Sequence, residues 1–182
     1  MCNKSHQLIN ITIRRATLQE ATLLAELGAR TFEQAFGALT PPADLAAYLA
    51  QSFAVERLSV ELADARSTFL IAYNRGEPAG YAKLYAGQPP ECVTNRPAIE
   101  LVRLYALKQY WGQGIGAALM QQCLNLARQQ EYTVIWLSSW KLNERANAFY
   151  HRWQFTEVGE KTFAVGTDIQ EDFILARSLG VT

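Results

Sequence analysis

A chain of 182 residues is long enough for one ordinary domain and too short for two full ones. Its 49% hydrophobic and 11% aromatic content supplies a core, which excludes a disordered chain. Seventeen Lys and Arg against 17 Asp and Glu leave no net field to draw it to nucleic acid or an anionic membrane, so neither is an expected partner and recognition falls to a local site.

Apolar runs break within a few residues, short of the ~18 to 20 a membrane-spanning helix needs, and the first residues resemble no leader, so a cytoplasmic location is expected. Cys2, Cys92 and Cys123 are odd in number and far apart, and read as free thiols. His6 and His151 stand apart from other ligand types, so no metal is expected.

In chain order, Ile9, Ile11 and Ile13 alternate with Asn10, Thr12 and Arg14, the period-two mark of a half-buried strand over 8–14. Thr17-Leu-Gln-Glu20 is a capping box. Ala21, Leu24, Leu27, Thr31, Phe32 and Phe36 then recur at helical spacing, and Pro41-Pro42 opens a second helix over 43–53. Strands over 67–73 and 79–85 flank the turn Asn74-Arg-Gly-Glu-Pro78 as a hairpin. After a loop over 88–97 comes a strand over 99–107. Its side chains split into a Glu100, Val102, Leu104, Ala106 face and a Leu101, Arg103, Tyr105, Leu107 face. A helix over 115–129, a strand over 132–138, a helix over 143–153 and short strands over 155–158 and 172–176 complete the order β, α, α, β, β, β, α, β, α, β, β. Hairpins mixed with crossover helices predict an α/β fold with a mixed, mostly antiparallel sheet and helices on both faces, one domain over 1–182.

The segment from Glu100 through Trp111-Gly-Gln-Gly114-Ile-Gly116 runs from a strand through a glycine-rich turn into a helix. Such a turn gathers backbone N–H groups at a helix N-terminus, a site suited to phosphate, or it simply joins strand to helix. A dinucleotide loop fails because the third glycine comes one residue early, and a triphosphate loop fails because Ala117 and Ala118 follow Gly116.

The turn resembles the acyl-CoA motif of the GCN5-related N-acetyltransferase (GNAT) superfamily, Gln/Arg-x-x-Gly-x-Gly/Ala. Asn143-Glu-Arg-Ala146-Asn-Ala-Phe149-Tyr150, followed by Trp153-Gln-Phe155, is similar to the superfamily's second motif. Segments 30–33, 104–108, 136–140 and 166–172 resemble the bacterial spermidine/spermine acetyltransferases of the PaiA type. Two positions depart from the pattern: Trp111 stands where Gln or Arg is usual, and Gln154 where Gly is usual.

The resemblance implies acetyl-CoA as co-substrate, with pantetheine paired to the backbone of Leu104, Tyr105 and Ala106. It places the phosphates on the amides of Gly112, Gln113, Gly114, Ile115, Gly116 and Ala117. Asn143 would bond the pantetheine arm or cap a helix. Tyr150 matches the superfamily's general acid, since a phenol is protonated at pH 7 and can donate to a departing thiolate. An amine of pKa ~10.4 is neutral in only about 1 part in 2,500 at pH 7, a cost of about 4.6 kcal/mol, and Glu100 stands where the histone-acetyltransferase branch carries its base. Glu33, Asp168 and Asp172 are the carboxylates expected along a polyamine, with Trp140 and Tyr105 as an aromatic wall. The expected activity is direct transfer of acetyl to a primary amine of a small molecule, most readily a polyamine. A peptide or protein amine, or CoA sensing with little turnover, are the alternatives. Relatives of this kind often form homodimers, so a second copy is a further expected partner.

Overall fold

The computed structural model describes residues 10–165 and 168–180. Strand β1 (Ile11–Arg15) turns Ile11 and Ile13 toward the core. The Thr17 amide donates to Glu20 Oε2 at 2.8 Å, closing the capping box over a short 3-10 turn that feeds α1 (Ala21–Phe36). Arg14 also hydrogen-bonds the Glu20 carboxylate, and chiefly through that bond holds it down at a pKa of about 2.

Helices α2 (Pro42–Ser52) and α3 (Val55–Ala63) follow. The sequence reading missed α3, and the reason is local. Leu58 is its one buried residue, Val55 and Val60 face solvent, and Ala54 offers no capping side chain, so neither an apolar stripe nor a start signal is present.

Strands β2 (Ser67–Asn74), β3 (Glu77–Tyr85) and β4 (Ala98–Ala106) form an antiparallel meander joined to β1. Helix α4 (Ile115–Gln129) crosses back to β5 (Val134–Trp140), which lies parallel to β4, and α5 (Glu144–Arg152) leads to the hairpin of β6 (Thr156–Val165) and β7 (Asp168–Ser178). The closing strands are longer than the short ones expected from sequence. The sheet order is β1-β2-β3-β4-β5-β7-β6, mixed and mostly antiparallel, with β4 and β5 its parallel pair. Both faces are covered. Leu119, Met120 and Cys123 of α4 pack with Leu101 and Leu137 on one side, where α5 adds Phe149, Tyr150 and Trp153. Leu24, Phe32 and Leu58 pack with Phe69, Ile71 and Tyr81 on the other. No helix among the described residues is long and apolar enough to cross a membrane.

Charge enters the second layer at one point. Glu61 of α3 accepts from Lys83 at 2.8 Å, Arg103 at 2.8 Å and Arg57 at 3.2 Å. Burial pushes the Glu61 carboxyl up, but Arg103 and Lys83 outweigh it and hold it below its ordinary value. Breaking such a pair leaves two mostly buried cations on β3 and β4 without their anion, which costs about 3 kcal/mol. Glu61→Ala is therefore expected to lower Tm by roughly 6 to 12 °C in a thermal melt, at about 2 to 4 °C per kcal/mol for a chain of this size.

The second departure from the family pattern, Gln154, sits in a backbone conformation that suits the usual glycine. Its φ is 63°, in the left-handed region, where a side chain costs about 1 to 2 kcal/mol and glycine does not. Part of that gain is offset by glycine's extra freedom in the unfolded chain. Gln154→Gly is expected to raise Tm by roughly 2 °C; a lower melting point would show that the side chain holds contacts worth more than the strain.

Candidate active site

Strands β4 and β5 pair at only three positions, ending with Glu100 opposite Trp136, and then separate. On the other edge of β4, Tyr105 lies opposite Tyr81, and the amide of Leu107 donates to Ala79 O at 2.9 Å. Alternation along an antiparallel ladder therefore turns the backbone groups of Tyr105 into the sheet and those of Leu104 and Ala106 toward the opening. The Ala106 carbonyl accepts from the indole Nε1 of Trp111 at 2.8 Å. Both groups of Leu104 and the Ala106 N–H remain for an added extended chain.

The register of β4 against β3 shifts between Lys83 and Leu84, so that Val102 is an extra, exposed residue. This overturns the two faces expected from strict alternation. Leu104 and Ala106 pack on the α4 side with Leu101, whereas Arg103 and Tyr105 share the opposite side, that of Lys83 and Tyr81. Glu100, opposite Tyr85, joins them. Five aromatic rings, Phe32, Phe36, Tyr48, Tyr81 and Tyr105, meet on that side at centroid distances of 4.5 to 6.4 Å.

Beyond β4, Gly112 and Gly114 take φ of 76° and 85°, and Gly114 starts α4 from the left-handed region. A side chain at either would be strained, which accounts for both glycines. The amides of Ile115, Gly116 and Ala117 lie in the first turn of α4 and have no partner inside the helix. Gln113 instead folds its side chain back onto Gln109 O at 2.7 Å.

Helix α5 starts at the mouth of the same opening. Asn143 Oδ1 accepts from the Ala146 amide at 3.2 Å, so the cap is real, and the side-chain amide is left to donate. Asn147, which the sequence reading passed over, is buried and donates to Trp140 O and Lys141 O at 3.1 Å, fixing the turn that carries Asn143. One turn on, Tyr150 stands edge-on to Phe149 and Phe155. Burial pushes its phenol above the ordinary value, which keeps the hydroxyl protonated at neutral pH. Burial likewise raises Tyr105, and Tyr150 lies close enough to add to that push.

The carboxylates divide. Glu100 is half-buried, and burial raises its pKa against the opposing charges of Lys161 and Lys83. Asp172 is 6% exposed, opposite Trp140 on β5 and Lys161 on β6, with Oδ1 unpartnered; burial raises it too, against Lys161. Lys161 thus acts on both. Glu33 is exposed on α1, and Asp168 opens β7 with a side chain outside the described residues. Trp140 faces Phe36 across a groove of about 290 Å³, whose other walls include Leu39, Leu142, Asn143 and Arg145. Cys123 is fully buried and its thiol is pushed up to about 12, so it is no nucleophile. Among the described residues no cluster of His, Cys, Asp and Glu could hold a metal ion.

An exposed backbone edge leading to a helix N-terminus whose glycines leave space for close approach fits an acyl-CoA: amides for the pantetheine arm, then amides for its phosphates. Residues 30–155 match the model of the acetyltransferase (GNAT) family. Over 149 residues the chain is 32% identical to an uncharacterized N-acetyltransferase of Lactobacillus delbrueckii subsp. lactis, covering 82% of this chain and 86% of that one. It is also 32% identical over 162 residues to an uncharacterized N-acetyltransferase of Mycobacterium tuberculosis, covering 89% and 99%. Among solved structures, the PaiA N-acetyltransferase of Thermoplasma acidophilum in complex with coenzyme A superposes with a TM-score of 0.73 at 18% identity, over 93% of this chain and 99% of that one. Sequence motifs, sheet topology and relatives agree, and the chain belongs to the GNAT family of acetyl-CoA-dependent N-acetyltransferases.

Proposed function

We propose that the acceptor is a primary amine of a small, multiply charged molecule, a polyamine such as spermidine or spermine, acetylated by direct transfer. The observation that carries this reading is Asp172: a carboxylate 6% exposed, with one oxygen unpartnered, beside Trp140 on the sheet face that also carries Glu100. A buried carboxylate with spare acceptor capacity favours a cation, and an indole beside it adds cation–π attraction. Lys161 tempers the charge of this wall without cancelling two carboxylates. The PaiA-like segments of the sequence agree with this reading, while Glu33 and Asp168 are left as candidates for the far end of a long amine.

Bound acetyl-CoA supplies a thioester, so acetyl passes to the amine nitrogen as the C–S bond breaks. Glu100 takes the proton that the ammonium must lose before its nitrogen can attack, directly or through one water. Its raised pKa makes it a stronger base than an ordinary carboxylate. Tyr150 donates its phenolic proton to the departing sulfur and is reprotonated by the second proton that the nitrogen sheds as it becomes an amide; the hydrophobic packing around it keeps the phenol protonated until transfer. The Leu104 backbone and the Asn143 side-chain amide orient the pantetheine arm.

Tyr150→Phe is expected to lower kcat by about 100-fold or more while CoA binding is retained, the range for loss of one general acid; unchanged turnover would remove Tyr150 from the mechanism. For Glu100 the sign follows from its raised pKa: activity falls as pH drops and the carboxylate takes up its proton, at a pH above the ordinary carboxylate range. A kcat/KM profile should show that limb in the wild-type protein and lose it in Glu100→Gln.

The acceptor is tested by thiol release from acetyl-CoA with spermidine, spermine, simple monoamines and a peptide with a free α-amine. Asp172→Asn is expected to raise KM for spermidine at least tenfold and leave a monoamine unaffected. Turnover of the peptide alone would discard the polyamine.

A further inference from the structure

The usual Gln or Arg at the head of the phosphate loop is Trp111 in this chain, and an indole has one donor, already given to Ala106 O at 2.8 Å. The head of the loop has thus lost its polar side chain, and that of Gln113 is turned back onto Gln109 O. What the ring holds is a cation: the Arg145 guanidinium carbon lies 3.6 Å from its centroid, in stacking contact, with Lys108 Nζ 6.0 Å from the same centroid.

Arg145 is misplaced for helix stability. It is the second residue of α5, where the positive end of the helix dipole favours a carboxylate and disfavours a cation. No carboxylate pairs with it among the described residues, although Glu144 precedes it. Contact with the indole removes part of its water and draws its pKa down, yet a guanidinium stays charged at any neutral pH. An exposed cation with no carboxylate partner therefore sits in the first turn of α5, stacked on Trp111 of the loop that leads into α4, and both helix N-termini carry positive potential.

We propose that Arg145, positioned by Trp111, supplies the phosphate contact that the loop's first side chain no longer makes, pairing with a phosphate of acetyl-CoA. The planar fork of the guanidinium suits two phosphate oxygens, and the ring keeps it from swinging into solvent. Trp111 is on this account a positioning residue and Arg145 a cofactor-binding one, whatever the acceptor amine.

The test is binding, not turnover. CoA, dephospho-CoA (which lacks the 3′-phosphate) and pantetheine are titrated calorimetrically into the wild-type protein and into Arg145→Ala, Arg145→Lys, Trp111→Leu and the Arg145→Ala/Trp111→Leu pair, at several salt concentrations, with Tm recorded for each. Arg145→Ala is expected to bind CoA about tenfold or more weakly, with a shallower salt dependence, and pantetheine as the wild type does. Arg145→Lys should recover part of the loss. Trp111→Leu should weaken CoA as well, and the double variant should bind no worse than Arg145→Ala alone. A loss that persists with dephospho-CoA assigns the contact to the pyrophosphate, and one that vanishes assigns it to the 3′-phosphate. Arg145→Ala binding CoA within twofold of wild type, or losing pantetheine as badly as CoA, would overturn the proposal.

Discussion

The structure turns on the parting of two strands. A strand edge inside a sheet calls for hydrogen-bond partners, and after Glu100 and Trp136 the edge of β4 has none from β5. Part of the solution is internal: the Trp111 indole takes the Ala106 carbonyl. The remainder is left for an extended molecule that brings its own amides, and the helix that restores the sheet's connection points its free amides into the same opening. The pantetheine arm and the phosphates thus meet two consequences of one crossover.

Glu61 secures the outer side of that opening. It draws Lys83 and Arg103 together across β3 and β4 at the bulge where the register of these strands shifts. The ion cluster and the aromatic layer of Phe32, Tyr81 and Tyr105 brace β4 from one face, while α4 braces it from the other. A strand without its neighbour on one edge is held in place by packing above and below.

Much of this was legible in the sequence because the relevant signals are local. The capping box, the hairpin turn, the glycines of the phosphate loop and the cap at Asn143 each follow from residues within a few positions of one another. What was not legible depended on distant partners. The bulge at Val102 appears only when β4 is laid against β3, and it moved Leu104, Ala106, Arg103 and Tyr105 to faces opposite those that simple alternation gave. Helix α3 carried no stripe to read. Trp111 departs from the family pattern in the sequence, but its meaning lies in Arg145, separated from it by a helix and a strand and brought to it only by the fold. Asp172 was picked out on resemblance, and its burial and unpartnered oxygen emerge only from the pairing of β5, β6 and β7.

The extra residue at Val102 also acts as a half-period phase shift along β4. Leu101 and Arg103, two positions apart, fall on opposite faces only because the bulge absorbs the residue between them. A chain shortened by that single residue would pleat regularly with every neighbour on its present face, whereas the full-length strand forced into regular pleating would invert one half against the other: either the carboxylate of Glu100 would be driven among the leucines of α4, or Tyr105 would be drawn out of the aromatic layer. The exposed valine contributes little through its own side chain, and the bulge that accommodates it lets one strand carry a half-buried carboxylate at one end and an open backbone edge for the cofactor at the other.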